Sequence, residues 1–152
     1  MIKIAQDNDP VALMSMYVAF LRALYQIHQN AHWKASGSNF YGNHLLFQRI
    51  YEGTQQSADE AAEKTIGLYG ELHEMSSNIQ EITDKFSPEK FDGDLLSASL
   101  KAEQTFLALS QTVYNQLKNL KTMTLGLDDL IMSIANRHEV HVYLLKQALE
   151  SE

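Results

Sequence analysis

Apolar residues recur at helical spacing along four long stretches of this chain. After Asp9-Pro10, an N-cap and first-turn proline pairing that favours a helix start, Leu13, Met14, Tyr17, Val18, Phe20, Leu21, Leu24, Tyr25 and Ile27 form a broad stripe. Such a stripe belongs to a core-facing helix, predicted to run to about Ala35, where Ser36-Gly37-Ser38 ends it. Asn39 or Asn43 then caps a second helix to about Leu68, proline-free and carrying Leu46, Ile50, Ala58, Ala61, Ala62 and Ile66 on mixed three- and four-residue steps. Gly67 and Gly70 change the register. Leu72, Met75, Ile79 and Ile82 keep a helical step to about Thr83, and Ser87-Pro88 opens a turn or a single helical turn. A third long helix, capped by Asp92 or Asp94, carries leucines and aromatics to about Lys121. Gly126 is expected to break it, and a fourth helix is expected from about Asp128 to Glu150.

No strand-like alternation and no internal repeat interrupts this pattern. Four long helices joined by short, long and short connections predict an all-α four-helix bundle, with one long crossover (about Tyr69 to Phe91) carrying a short extra helix. At 152 residues the chain is expected to form a single domain, 1–152, with a sizeable core. No uninterrupted apolar run approaches a membrane span; Ser15 and Arg22 break the nearest. The start, MIKIAQDNDP, lacks the basic and apolar regions of a signal peptide, and zero cysteines exclude a disulfide scaffold or thiolate-held metal. Both suit a cytoplasmic protein. The net charge of −7 and the absence of a lysine-rich terminus weigh against DNA binding and favour cation uptake.

The chemistry concentrates between His32 and Glu63. His32 and His44 stand twelve residues apart, and Asp59 and Glu63 share one helical face. Imidazole plus carboxylate suits iron, zinc or manganese. Along a helix rising about 1.5 Å per residue, His44 and Asp59 are roughly 22 Å apart, and a kink at Gly53 could not fold the helix back. His32, closing the preceding antiparallel helix, lies beside the start of the second and far from Asp59. Either these are two unrelated features, or a second copy of the chain completes the site. A two-fold axis pairing two such helices antiparallel would set His32 and His44 of one subunit against Asp59 and Glu63 of the other, twice over.

These residues carry a resemblance. His32-Trp33, His44 twelve residues on, the D-x-x-x-E of Asp59 and Glu63, and Gly37-Ser38-Asn39-Phe40 in the loop resemble the Dps family, or mini-ferritins. The likeness extends more loosely over the chain in helix order and length. It implies a ferritin-like fold, a hollow homo-oligomer (a dodecamer) storing ferric mineral, and ferroxidase sites between subunits. Hydrogen peroxide is the implied oxidant, with protection against oxidative stress as the result. His32, His44, Asp59 and Glu63 are then the iron ligands, with zinc or another divalent ion as an alternative occupant. Glu63, the longer carboxylate, is the implied bridge between two irons. The pattern departs at Gln48, where the family usually has an acidic residue; a neutral amide is a poorer ligand for a hard cation, which weakens the second iron position.

Other residues read more blandly. His28, one turn before His32 at a spacing able to chelate a metal, lies outside the family pattern and reads as a surface or core histidine. His138 and His141 in RHEVH look superficially like a metal motif but lack the spacing of H-E-x-x-H. Trp33 reads as a packing residue, although the resemblance implies a Trp beside the site that meets oxidising equivalents. Asp128 and Asp129 read as capping and helix-dipole residues, while the resemblance makes Asp129 a candidate for a three-fold pore through which iron enters. Three rival functions stand beside the ferroxidase: an assembly of the same fold holding one structural metal, a DNA-coating nucleoid protein, and an intrachain di-iron bundle. The last needs Glu-x-x-His pairs, and no histidine here has Glu three residues before it.

Overall fold

The computed structural model describes residues 9–152. The N-terminal segment, on which the expectations about a leader and a basic arm partly rest, lies outside the described residues. Five α-helices and one 3-10 turn follow in order: α1 Pro10–Lys34, α2 Phe40–Tyr69, α3 Ser76–Lys85, the 3-10 turn Pro88–Phe91, α4 Leu95–Asn119 and α5 Leu125–Glu150. No strand occurs among the described residues. The connections at 35–39 and 120–124 are short enough to make α1–α2 and α4–α5 antiparallel hairpins. Residues 70–94, holding α3 and the 3-10 turn, are the crossover between them. α1 packs on α2, α4 and α3, and α5 packs on α4 and α2.

Local chemistry sets the ends. The Asp9 side chain accepts from the Val11 N–H at 2.9 Å ahead of Pro10, as expected. Of the two aspartates offered as caps for α4, Asp94 does the work, accepting from Leu96 N and Ser97 N at 3.0 and 3.2 Å; Asp92 instead takes a left-handed conformation closing the 3-10 turn. Gly70 ends α2 at φ +85°, a backbone geometry glycine adopts without penalty. Two sequence expectations fail at α5. Gly126 does not separate the helices but lies in its first turn, and the N-cap is Thr124, whose hydroxyl accepts from Leu127 N at 3.0 Å. The Thr124 cap, two residues before the glycine, outweighs the propensity cost of Gly126, so Asp128 and Asp129 lie within the helix rather than capping it, Asp128 still in the first turn where the helix dipole favours an acidic residue.

α1 is long and apolar enough to cross a membrane by length and composition, but most of that stretch is buried against its neighbours. It is the spine of the main apolar cluster, in which Tyr17 and Phe20 meet Phe106 at ring separations of 5.3 and 5.8 Å. A second, smaller cluster of Ala31, Ala35, Phe47, Ile50, Leu96 and Leu145 occupies the other end of the bundle. Between the two, the core-facing positions turn polar: His28 on α1, Ser57 on α2, Ser99 and Glu103 on α4, and His138 and His141 on α5 are all buried.

Candidate functional site

Among the described residues, two separate groups of side chains with metal-ligating chemistry stand out. The first lies where α1 ends and α2 begins. The rings of His32 and His44 stack with centroids 3.7 Å apart. Each Nδ1–H donates to the backbone carbonyl of the other residue, His32 to His44 O at 2.8 Å and His44 to His32 O at 2.9 Å. These reciprocal bonds fix both tautomers and leave both Nε2 atoms as lone-pair donors, the arrangement that metal-binding histidines adopt. Phe40 stacks on the outer face of His44 at 5.0 Å, and Tyr51 meets His32 edge-on at 5.3 Å.

Asp59 and Glu63 are exposed and lie further along α2, which is one uninterrupted helix. One chain therefore does not bring them to the histidines; the fifteen positions from His44 to Asp59 span roughly 22 Å. They do share a face. At 3.6 residues per turn His44, Gln48, Asp59 and Glu63 fall within an arc of about 100°. Exposed apolar residues flank both ends of that face, Leu45 near the histidines and Ile66 beyond Glu63. Trp33 and Tyr41 add to it; within one chain Trp33 is 66% exposed and does not pack as the sequence suggested. Gln48 donates from Nε2 to Glu52 at 3.0 Å. Asp129 is exposed in the early part of α5.

His28 does not join His32. It is fully buried and points into the bundle, which makes it a core histidine and removes it from the ligand set at the α1–α2 end. There it meets the second group, built around Glu103. The Glu103 carboxylate accepts from His28 Nε2 at 2.8 Å, from His138 Nδ1 at 2.7 Å and from His141 Nδ1 at 3.2 Å. The outer nitrogen of His28 meets Ser99 Oγ at 3.2 Å, and that of His138 meets Ser57 Oγ at 3.3 Å. Burial opposes ionisation of Glu103. The charge of His138 and the hydrogen bonds of the three histidines outweigh it and hold the carboxyl well below the usual carboxylate range. For His141 burial prevails over the pull of Glu103, so its imidazole is held below its ordinary value.

Sequence reasoning missed Glu103 and set His138 and His141 aside. The signal was present as register. Among the buried positions of α4, Leu96, Ser99, Glu103, Phe106, Ser110, Val113 and Leu117 step by three and four, with Ala98, Ala102 and Leu109 beside them, and the buried positions of α5 (Leu127, Ile131, Ile134, His138, His141 and Leu145) do the same. A charged residue at a core register is informative in itself, because it must find partners there.

Gly53 of α2 faces His141: a Cβ added there would lie 3.2 Å from His141 Nε2 and 3.5 Å from Arg137 Cδ. Its role is thus to admit the imidazole rather than to kink the helix. Gly53→Ala gains about 1 kcal/mol of helix propensity, but the ring it presses on is held from behind by Glu103. Overpacking at such a site costs about 1–3 kcal/mol, so urea denaturation should show a net loss of stability. A gain near 1 kcal/mol would mean that His141 moves freely.

No family model and no curated protein matches the sequence. Solved structures do. Dps from Vibrio cholerae O1, described as a member of a broad superfamily of ferritin-like diiron-carboxylate proteins, matches at 18% identity with a TM-score of 0.77, over 95% of this chain and 91% of that one. Dps from Microbacterium arborescens in its high iron form matches at 20% identity and a TM-score of 0.75, over 93% and 92% of the two chains. Dps from Thermosynechococcus elongatus matches at 17% and 0.73, over 90% and 88%. This chain therefore has the ferritin-like four-helix fold of the Dps structures.

Proposed function

We propose that this protein is an iron-sequestering ferroxidase of the Dps type, whose sites form between two subunits and whose assembly is a hollow shell, a dodecamer, that retains ferric mineral. The observation that carries the reading is the His32–His44 pair: two imidazoles with both Nδ1 protons committed to backbone and both Nε2 atoms left for a ligand. Asp59 and Glu63 support it, being exposed on the same face of α2 with apolar neighbours suited to a subunit contact. Iron is the substrate. Fe²⁺ held by His32 and His44 of one subunit and by Asp59 and Glu63 of the other gains anionic oxygen ligands that favour the ferric state. Two ferrous ions then each give one electron to hydrogen peroxide, whose O–O bond breaks. With two protons taken up, two waters form and no hydroxyl radical is released.

Anaerobic addition of peroxide to the Fe²⁺-loaded protein tests this. Consumption of two ferrous ions per peroxide, with ferric iron co-eluting with the protein on gel filtration, is expected. Oxidation no faster than in protein-free buffer contradicts it.

A second reading, a site holding a single structural metal, is favoured by Gln48, whose amide binds Glu52 instead of offering an anionic oxygen. Gln48→Asp adds that charge one turn from His44, on the same helix face. The variant should raise ferrous stoichiometry per interface or tighten the weaker binding step by roughly tenfold, the lower end of what outer-shell partners contribute to metal affinity. Anaerobic calorimetry would read the change; two equal, full-strength ferrous sites in the unmodified protein would show that Gln48 weakens nothing.

A further inference from the structure

The polar layer in the bundle contains more than a buried carboxylate needs. One proton on one imidazole would neutralise Glu103, yet three histidines converge on it. A core built only for stability gains little from such a cluster, because desolvating charged groups costs several kcal/mol per ion.

We propose that Glu103, His138 and His141 hold a single divalent first-row transition ion, Zn²⁺ or Fe²⁺, inside each bundle, at a site independent of the one between subunits. One ligand atom from each of these residues lies within 4.8 Å of the other two. The carboxylate oxygens stand 2.7 Å from His138 Nδ1 and 3.2 Å from His141 Nδ1. Ligand atoms around a tetrahedral zinc, each about 2.1 Å from it, are about 3.4 Å apart. To reach that spacing the His138 contact, made by Oε2, opens by about 0.7 Å and the His141 contact, made by Oε1, by about 0.2 Å.

The surroundings orient these groups as outer-shell partners orient metal ligands. His28 holds Glu103 Oε1 from one side and is itself held by Ser99. Ser57 donates its proton to Gly53 O at 3.1 Å, which turns a lone pair toward His138 Nε2. The Nε2 of His138 therefore carries a hydrogen, so an ion would take Nδ1 by displacing the proton that Nδ1 gives to Glu103. Gly53 supplies the space beside His141. Two imidazoles and one carboxylate select borderline ions over Mg²⁺ or Ca²⁺, which take oxygen ligands. A single carboxylate also distinguishes this centre from the dinuclear carboxylate sites of other bundles, which need several. An ion here ties α4 to α5 at mid-length, between the two apolar clusters.

The test removes the interface ligands first, so that its outcome does not depend on the ferroxidase reading. The His32→Ala/His44→Ala/Asp59→Ala/Glu63→Ala variant, stripped with chelator, is titrated with Zn²⁺ and, anaerobically, with Fe²⁺. One ion per chain is expected, with a raised melting temperature. Adding His138→Ala and His141→Ala should weaken binding by at least about a hundredfold. Binding of neither ion, or binding indifferent to the two histidines, overturns the proposal. Because core variants can fail to fold, zinc-soaked crystals of the unsubstituted protein provide a second arm. An anomalous peak among Glu103, His138 and His141 supports the site, and an empty core overturns it.

Discussion

His32→Ala/His44→Ala should lose peroxide-dependent ferrous oxidation by at least about a hundredfold, more than the 10–100-fold that loss of an outer-shell partner costs a metal site. The structural cost should be the smaller effect. The two imidazoles make one backbone hydrogen bond each at the half-exposed end of a hairpin, a loss of about 1 kcal/mol per bond. Asp59→Ala/Glu63→Ala should give the same kinetic loss at still smaller structural cost, since both carboxylates are exposed. Stopped-flow absorbance of the ferric product, alongside circular dichroism melts, separates the two quantities. Full activity in either double variant would remove those residues from the site.

Glu103→Ala should have the opposite signature, with a large loss of stability. Removing the carboxylate leaves His28, His138 and His141 buried without their common acceptor. Breaking a buried charged cluster by deleting one partner costs about 3–5 kcal/mol, or roughly 10 °C or more in melting temperature for a chain of this size. The pH dependence follows from the same contacts. Glu103 and His141 are both held below their ordinary values, so both contribute stability at neutral pH that is lost on acidification. For His141 the loss begins as pH falls below about 6.5, and for Glu103 below about 4.5. Denaturant titrations from pH 7 to pH 3 should show stability falling throughout that range. In Glu103→Gln the fall below pH 4.5 should be shallower; an unchanged slope would mean that the carboxylate is not ionised in the native protein.

The contrast between these predictions matches what the sequence could and could not convey. The bundle was legible because its helices are long and their apolar steps regular; Leu13 to Ile27 could be little else. Boundaries were legible where a side chain caps the backbone, as at Asp9 and Asp94, and not where a cap competes with a glycine, as at Thr124 and Gly126. The His32–His44 pairing was legible from the short hairpin that brings the end of α1 to the start of α2. The Glu103 cluster was not, because it joins residues from α1, α4 and α5 whose proximity depends on how the two hairpins pack. Periodicity identifies the buried stripe of each helix but not the rotation and height at which stripes meet. Only Glu103's place in the three-and-four stepping of α4 announced that something polar was required there.

The central claim, that the ferroxidase site is divided between chains, is tested most directly by mixing the two inactive parents. In a dimer of one His32→Ala/His44→Ala subunit and one Asp59→Ala/Glu63→Ala subunit, one site has all four ligands and the other has none. Random co-refolding of equal amounts makes half the interfaces mixed, so about a quarter of wild-type activity should return if each interface carries two symmetric sites. Recovery near that level is the predicted result. Two inactive parents that stay inactive after co-refolding, with mixing confirmed by mass spectrometry of tagged subunits, would contradict it.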